Sequence, residues 1–186
     1  MPSPAVLVDR LRPLLALCAV LGGLLHAIKG AVLLAGGPDL PLVPTMTLLF
    51  SIGLFGLLRP SDGALGFAGA VMSAVGVVTA AAALGYQLAG VAPEDPGSPL
   101  GVRLAYAGAT IAILLGLLLL GIARWRDRAT PMPWRAVPLA VGVAWFPLEA
   151  LTAVAPDGVG LFLAGLAWTG VGAAVRPDRA AVRATP

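Results

Sequence analysis

Long apolar runs, separated by short clusters of Pro, Gly, Asp and Arg, occupy most of this chain of 186 residues. The runs are about 17 to 28 residues long, and a helix of about 20 apolar residues crosses the hydrocarbon core of a bilayer. The chain is 59% hydrophobic and 11% charged, whereas a soluble domain is roughly 45–50% apolar and about 25% charged. These values exclude an ordinary soluble domain and predict an all-α, polytopic integral membrane protein.

The apolar runs predict a single membrane domain over residues 1–186, built as a bundle of six transmembrane helices. We place these helices over residues 13–35, 42–58, 63–90, 100–123, 135–154 and 158–175. In the third run, Gly69, Ser73, Gly76 and Ala80 recur every three or four residues. Small residues at this spacing let helices approach each other closely in lipid, so we expect this face to pack against a neighbouring helix.

Basic residues fall almost entirely on one side of the predicted spans. That side carries Arg10, Arg12, Arg59, Arg124, Arg126, Arg128, Arg135, Arg176, Arg179 and Arg183. The loops on the other side carry Asp39, Glu94, Asp95 and Asp157, with Arg103 as their only nearby base. Because cytoplasmic loops are enriched in Lys and Arg, this asymmetry predicts that both termini are cytoplasmic. The excess of Arg over Lys is typical of a GC-rich bacterial genome, so we expect the bacterial cytoplasmic membrane.

The single cysteine and the single histidine exclude several kinds of site. Cys18 alone cannot form an intramolecular disulfide, and His26 alone cannot supply a His-based zinc triad or two haem ligands. We therefore expect no cofactor and no metal. The net charge of +3 comes from arginines that flank apolar spans, so we expect membrane lipids and no nucleic acid as partners.

Two similar stretches suggest an internal duplication of three helices plus three. Val43-Pro44 opens the second run and Asp62-Gly63 follows it, while Val137-Pro138 opens the fifth run and Asp157-Gly158 follows it. Because three is odd, the two halves would have inverted topology, as in many transporters.

Three ionisable residues lie well inside the predicted spans: His26, Lys29 and Glu149. Charged groups at this depth are costly and normally face the interior of a bundle. At about 1.5 Å per residue, Lys29 and Glu149 both lie roughly 10 Å from the outer surface. His26 is one helical turn deeper than Lys29 on the same face. Because Lys29 and Glu149 share a depth in the membrane, we expect them to form either part of a ligand-binding site or a purely structural ion pair between helices.

Other polar and aromatic residues fall in the same outer half. Pro147, just before Glu149, removes a backbone donor and favours an opening in the fifth helix. The sequence therefore predicts a polar pocket in the outer half of the bilayer. Its candidate ligand-binding residues are His26, Lys29, Gln87, Arg103, Tyr106, Trp145 and Glu149.

Three functions fit these features. The first is the binding or transport of a small molecule, with a homodimer or a partner membrane subunit as further assembly. The second is a membrane-embedded enzyme of the isoprenoid cyclase or isomerase type, with Glu149 as general acid and Trp145, Trp168, Phe50 and Tyr106 stabilising a carbocation. The third is an accessory membrane subunit without a ligand. We expect the first, because isoprenoid cyclases usually need more than one carboxylate and Glu149 is the only one inside a predicted span.

Overall fold

The computed structural model describes residues 4–91, 97–128, 130–155 and 158–175. These ranges contain six α-helices and no strand, which confirms the predicted all-helical class. The helices are α1 (Pro4–Leu34), α2 (Val43–Leu54), α3 (Gly63–Leu88), α4 (Leu100–Arg126), α5 (Val137–Val154) and α6 (Val159–Ala174). Two short 3₁₀ turns, Phe55–Leu57 and Pro60–Asp62, connect α2 to α3.

The helix boundaries follow the sequence signals closely, with two extensions. Pro44 and Pro138 lie at the first turns of α2 and α5, where a residue without a backbone donor costs no helical hydrogen bond. Gly158 precedes α6 with a φ of 93°, a conformation that glycine adopts readily. Helix α1 begins well before the predicted residue 13, and α4 continues to Arg126, because hydropathy marks the apolar part of a helix and not its end.

The six helices pack as a ring in the order of the chain. The most extensive contacts are between α1 and α6 and between α3 and α4. Helix α2 packs between α1 and α3, and α5 packs between α4 and α6. A Cβ atom at Gly165 of α6 would overlap the backbone nitrogen of Ala27 in α1. A Cβ atom at Gly30 would overlap the backbone nitrogen of Phe162. Glycine therefore allows α1 and α6 to touch backbone to backbone.

The order in which the helices pack can be compared with the predicted duplication of three helices plus three. A two-fold axis in the membrane plane would exchange α1 with α4 and α3 with α6, so the exchanged helices would lie opposite each other across the axis. Neither exchanged pair packs extensively in the described chain, so the packing does not confirm the repeat.

Three helices are long and apolar enough to cross a membrane: Arg10–Leu34, Gly63–Leu88 and Leu100–Arg126. Three shorter apolar helices, Val43–Leu57, Val137–Leu148 and Val159–Ala174, accompany them. Large apolar side chains such as Phe67, Val78 and Leu104 are more than half exposed on the outside of the bundle. Exposed apolar surface on this scale is typical of contact with lipid or another protein, which is compatible with membrane association.

One end of the bundle gathers buried and exposed arginines, and we call it the arginine end after Arg12, Arg59 and Arg124. The Arg12 guanidinium donates a hydrogen bond to the carbonyl of Leu58 at 3.1 Å, which joins α1 to the segment after α2. The C-terminal end of α4 reaches the same place, since Arg124 and Arg12 both act on Asp62. The asymmetry of charge seen in the sequence is therefore present in the fold.

Candidate functional site

A cavity of about 430 Å³ lies inside the ring of helices. Its volume falls within the range of about 300–1,000 Å³ that is usual for small-molecule sites. Helices α1, α2, α4, α5 and α6 all contribute to its wall. The lining residues are His26, Val43, Thr47, Tyr106, Thr110, Ile113, Leu114, Leu117, Trp145, Leu161 and Trp168.

Stacked aromatic rings form one side of the cavity. The ring of Trp168 stacks on Phe50 with centroids 3.7 Å apart, and on Trp145 with centroids 4.7 Å apart. The imidazole of His26 lies against both indoles, at 5.3 Å from Trp168 and 6.1 Å from Trp145. Four helices supply these rings. Each of these rings therefore contacts at least one other ring of the group.

Three buried nitrogen atoms of this aromatic group have no hydrogen-bond partner among the described residues. They are Nδ1 and Nε2 of His26 and Nε1 of Trp168. Both side chains are more than nine-tenths buried. A buried polar atom without a partner costs roughly 1–3 kcal/mol, and such atoms are rare in folded proteins. The cavity therefore contains polar groups that the described protein leaves unsatisfied.

The hydroxyl groups near this cavity are already used as donors. Thr47 Oγ1 donates to the carbonyl of Val43 at 2.7 Å, and Thr110 Oγ1 donates to the carbonyl of Tyr106 at 3.3 Å. Each hydroxyl oxygen retains the capacity to accept a hydrogen bond. The two threonines therefore give the cavity wall hydrogen-bond acceptors.

Charge is nearly absent from the cavity wall. Among the lining residues that the structure describes, His26 and Tyr106 are the ionisable ones and none is a carboxylate. The described part of the chain contains no group of three His, Cys, Asp or Glu side chains that could hold a metal ion.

The predicted site residues separate into two groups. His26, Tyr106 and Trp145 lie at the cavity. Lys29 and Gln87 instead bind the loop between α1 and α2: Lys29 Nζ donates to the carbonyl of Leu40 at 2.9 Å and lies 2.5 Å from an oxygen of Asp39. Gln87 Nε2 donates to the carbonyl of Pro41 at 2.5 Å. These two side chains hold a loop at the end away from the arginines.

Arg103 and Glu149 are the two remaining predicted residues. Arg103 is exposed near the start of α4 and is not among the lining residues. Glu149 belongs to α5, but its side chain lies outside the described part of the structure. The proposed pairing of Lys29 with Glu149 therefore stays a prediction. Helix α5 continues through Pro147 to Val154, so the proline does not end the helix.

Sequence reasoning gave too little weight to Trp168 and omitted Thr47 from the predicted pocket. The search for a pocket followed charged residues within apolar runs, and neither of these residues is charged. Trp168 stands next to Thr169 and three residues after Gly165, which packs against α1. An indole beside a close-packed glycine was the available signal that this face of α6 points into the bundle.

A second polar cluster lies at the arginine end, and its members bind to one another. Arg124 is almost fully buried, and its guanidinium lies 2.9 Å from a carboxylate oxygen of Asp127 and also bonds to Thr130 Oγ1. Thr130 Oγ1 in turn donates to Asp127 Oδ2 at 2.8 Å. Asp62 accepts a hydrogen bond from the backbone nitrogen of Arg59 at 2.7 Å. These bonds fix the connections between helices.

Burial raises the pKa of Asp62 from its ordinary value near 4 to about 6. The positive charges of Arg124 and Arg12 oppose this shift, whereas the negative charge of Asp127 adds to it. Removal of the carboxylate from water is the largest of these effects. Asp62 therefore gains or loses its negative charge at a pH of about 6.

Comparison with known proteins gives no relative: no family model, no curated protein and no solved structure matches the chain. The cavity and its residues are therefore the basis on which a function can be assigned.

Proposed function

We propose that this chain is a six-span protein of the bacterial cytoplasmic membrane, with both termini in the cytoplasm, that binds a neutral and mainly apolar small molecule in the cavity. The observation that carries this function is the set of unpartnered nitrogens of His26 and Trp168 in a wall of stacked rings. A functional site retains such groups because a ligand, and not the protein, completes their hydrogen bonds.

Two features of the wall support a neutral, apolar ligand. Aliphatic residues from three helices, such as Ile113, Leu117 and Leu161, cover much of the cavity surface. No carboxylate is present in the described wall to neutralise a cation. The nearest described ammonium group on α1, that of Lys29, is held by Leu40 and Asp39, so it does not offer a counter-charge to an anion.

The donor and acceptor types define the polar part of the ligand. The indole nitrogen of Trp168 can only donate, and a neutral imidazole has one donor and one acceptor. A carbonyl oxygen accepts from both rings, and its two lone pairs allow both bonds at once. We therefore expect an apolar molecule with a ketone, ester or quinone carbonyl directed at His26 and Trp168.

The position of the cavity agrees with a site in the outer half of the membrane. At about 1.5 Å per residue, His26 lies about 12 Å from the end of α1 at Leu34 and about 21 Å from Arg12. Val43, at the very start of α2, also lines the cavity. The site is thus closer to the end opposite the arginines, which the positive-inside rule places outside the cell.

A fluorescent ketone tests this function directly. Prodan is a neutral naphthyl ketone whose excitation overlaps tryptophan emission, so binding beside Trp145 and Trp168 would produce energy transfer. We expect saturable transfer with the wild-type protein in detergent. Thr110→Phe fills the cavity and should lower prodan affinity at least tenfold. Ile111→Phe adds the same ring on the exposed face of the same helix, and it should bind prodan like the wild type.

Two results would contradict binding in the cavity. One is transfer that rises without saturation in all three proteins, as expected for a dye that only enters the detergent micelle. The other is equal affinity in the Thr110→Phe and Ile111→Phe variants, which would place the dye elsewhere. Either result would favour an accessory subunit whose aromatic wall is only packing.

A further inference from the structure

A groove of about 540 Å³ runs along the outside of the bundle between α4 and α5. Its floor consists of small side chains at helical spacing, Ala136, Ala140 and Ala144, and it ends at Pro147. Ala140 and Val143 are exposed. The groove is therefore open and apolar, and it shares no lining residue with the cavity described above. The lining residues are Trp125, Ala136, Leu139, Ala140, Val143, Ala144 and Pro147.

The mouth of this groove is cationic. The guanidinium of Arg135 lies 5.7 Å from the centre of the Trp125 ring, which itself lines the groove. Arg135 Nε is buried and has no hydrogen-bond partner among the described residues. Arg126 and Arg128 are exposed nearby at the end of α4. Asp127, which follows Arg126, already binds Arg124 and Thr130.

We propose that the groove binds one acyl chain of an anionic phospholipid and that Arg135 binds the phosphate of its headgroup. A molecule with one negative headgroup and a long apolar tail matches an apolar groove that has arginines at one end. Arginine binds phosphate well because its planar donors meet two oxygens together. Arg126 and Arg128 add attraction for negative headgroups on the same side. This site uses the membrane location proposed above, but it does not depend on the cavity or its ligand.

Native mass spectrometry of the detergent-purified chain tests the site. The probes are phosphatidylglycerol, which is anionic, and phosphatidylcholine with the same acyl chains, which is zwitterionic. We expect the wild type to retain phosphatidylglycerol at least fivefold more than phosphatidylcholine. Arg135→Gln should bring this ratio close to one. Ala140→Phe, which blocks the groove but keeps every charge, should lower phosphatidylglycerol retention at least fivefold.

Two control variants match these changes elsewhere on the surface. Arg103→Gln removes one exposed arginine from the other end of the bundle, and Ala81→Phe adds the same ring to an exposed alanine of α3. Both should retain phosphatidylglycerol like the wild type. Equal loss in Arg135→Gln and Arg103→Gln would mean that only net charge matters and would overturn the site. Unchanged retention of phosphatidylglycerol in Ala140→Phe would show that the acyl chain does not lie in the groove. If Arg135→Gln does not fold, Ala140→Phe against Ala81→Phe decides alone.

Failure of this site and failure of the cavity are separate outcomes. Prodan binding is measured by energy transfer from tryptophan and by its loss in Thr110→Phe, whereas lipid retention is measured by mass. Ala140→Phe should leave prodan affinity within twofold, because Ala140 does not line the cavity.

Discussion

His26 brings two ring nitrogens into the bundle at a place where no described residue bonds to them. Its contacts are aromatic, with the indoles of Trp145 and Trp168. Lys29, one turn further along α1, has the opposite situation, because its ammonium group is bound by Leu40 and Asp39. Two residues that the sequence grouped together therefore have different contacts: Lys29 binds a loop, and His26 is the residue that we propose for ligand binding.

Replacement of His26 by leucine separates a binding role from a structural role. His26→Leu removes two unsatisfied polar atoms, which cost roughly 1–3 kcal/mol each, and it loses ring contacts worth about 0.5–1.5 kcal/mol. We expect thermal melting in detergent to show equal or higher stability, while prodan affinity falls at least tenfold. A large loss of stability with unchanged prodan affinity would show that His26 is a packing residue.

Replacement of Lys29 by methionine should affect the loop and leave the cavity intact. Lys29→Met loses the bond to Leu40, so we expect faster amide hydrogen exchange over residues 35–42, measured by mass spectrometry. Asp39→Asn is the milder comparison, because the Asp39 side chain is mostly exposed and exposed ion pairs contribute little. Prodan affinity should stay within twofold in both variants. Loss of prodan binding in Lys29→Met would show that Lys29 contributes to binding in the cavity, as the sequence predicted.

Asp62 should make stability depend on pH in a defined direction. Its pKa in the folded chain is about 6, above its value in the unfolded chain, so the fold favours the protonated form. This contribution to stability is present at about pH 4 and is lost as pH rises through about 6. The melting temperature of Asp62→Asn should therefore fall less than that of the wild type between pH 4 and pH 7. Equal pH dependence in both proteins would contradict the raised pKa.

At the scale of helices, the apolar runs predicted each helix and its order, because the length of a run and the Pro and Gly residues beside it are local properties. Packing partners are not local. The small-residue spacing in α3 predicted a packing face, and Gly69 does pack against Leu120 of α4. The most extensive contact, between the first and last helices, depends on residues more than a hundred positions apart. No periodicity in the sequence contains that information.

Glycine at the contact between α1 and α6 should be sensitive to a single methyl group. Gly165→Ala places a Cβ against the backbone of Ala27, and overpacking of this kind typically costs about 1–3 kcal/mol. Gly85→Ala in α3 is a matched control, because nothing lies within 4 Å of the added Cβ. We expect Gly85→Ala to stabilise the helix by roughly 0.5–1 kcal/mol. Equal melting temperatures in the two variants would contradict the close approach of α1 and α6.

At the scale of the whole molecule, the distribution of charge predicted which helix ends meet, and the arginine end confirms that Arg12 and Arg124 lie together. The location of the pocket was less accessible to prediction. Charged residues report where water or a partner is needed, but the cavity wall is made of rings and aliphatic chains that look like any apolar run. Only their assembly from five helices makes them the wall of a cavity.

The orientation of the bundle can be tested with single cysteines. In a Cys18→Ala background, Ala89→Cys marks the end away from the arginines and Ser61→Cys marks the arginine end; both residues are exposed. A membrane-impermeant maleimide should label Ala89→Cys in intact cells, and Ser61→Cys only after the membrane is opened. Labelling in the reverse pattern would invert the topology. Labelling of both in intact cells would show that α3 does not span the membrane.

The close contact between α1 and α6 has a consequence for biosynthesis. His26 belongs to α1 and Trp168 to α6, which is synthesised later, and both rings line the same cavity. Until α6 has been made, α1 lacks the partner with which it has its most extensive contact. The ring of described helices closes only when α6 packs against α1, so a chain whose translation stops before α6 would lack both this contact and the Trp168 side of the cavity.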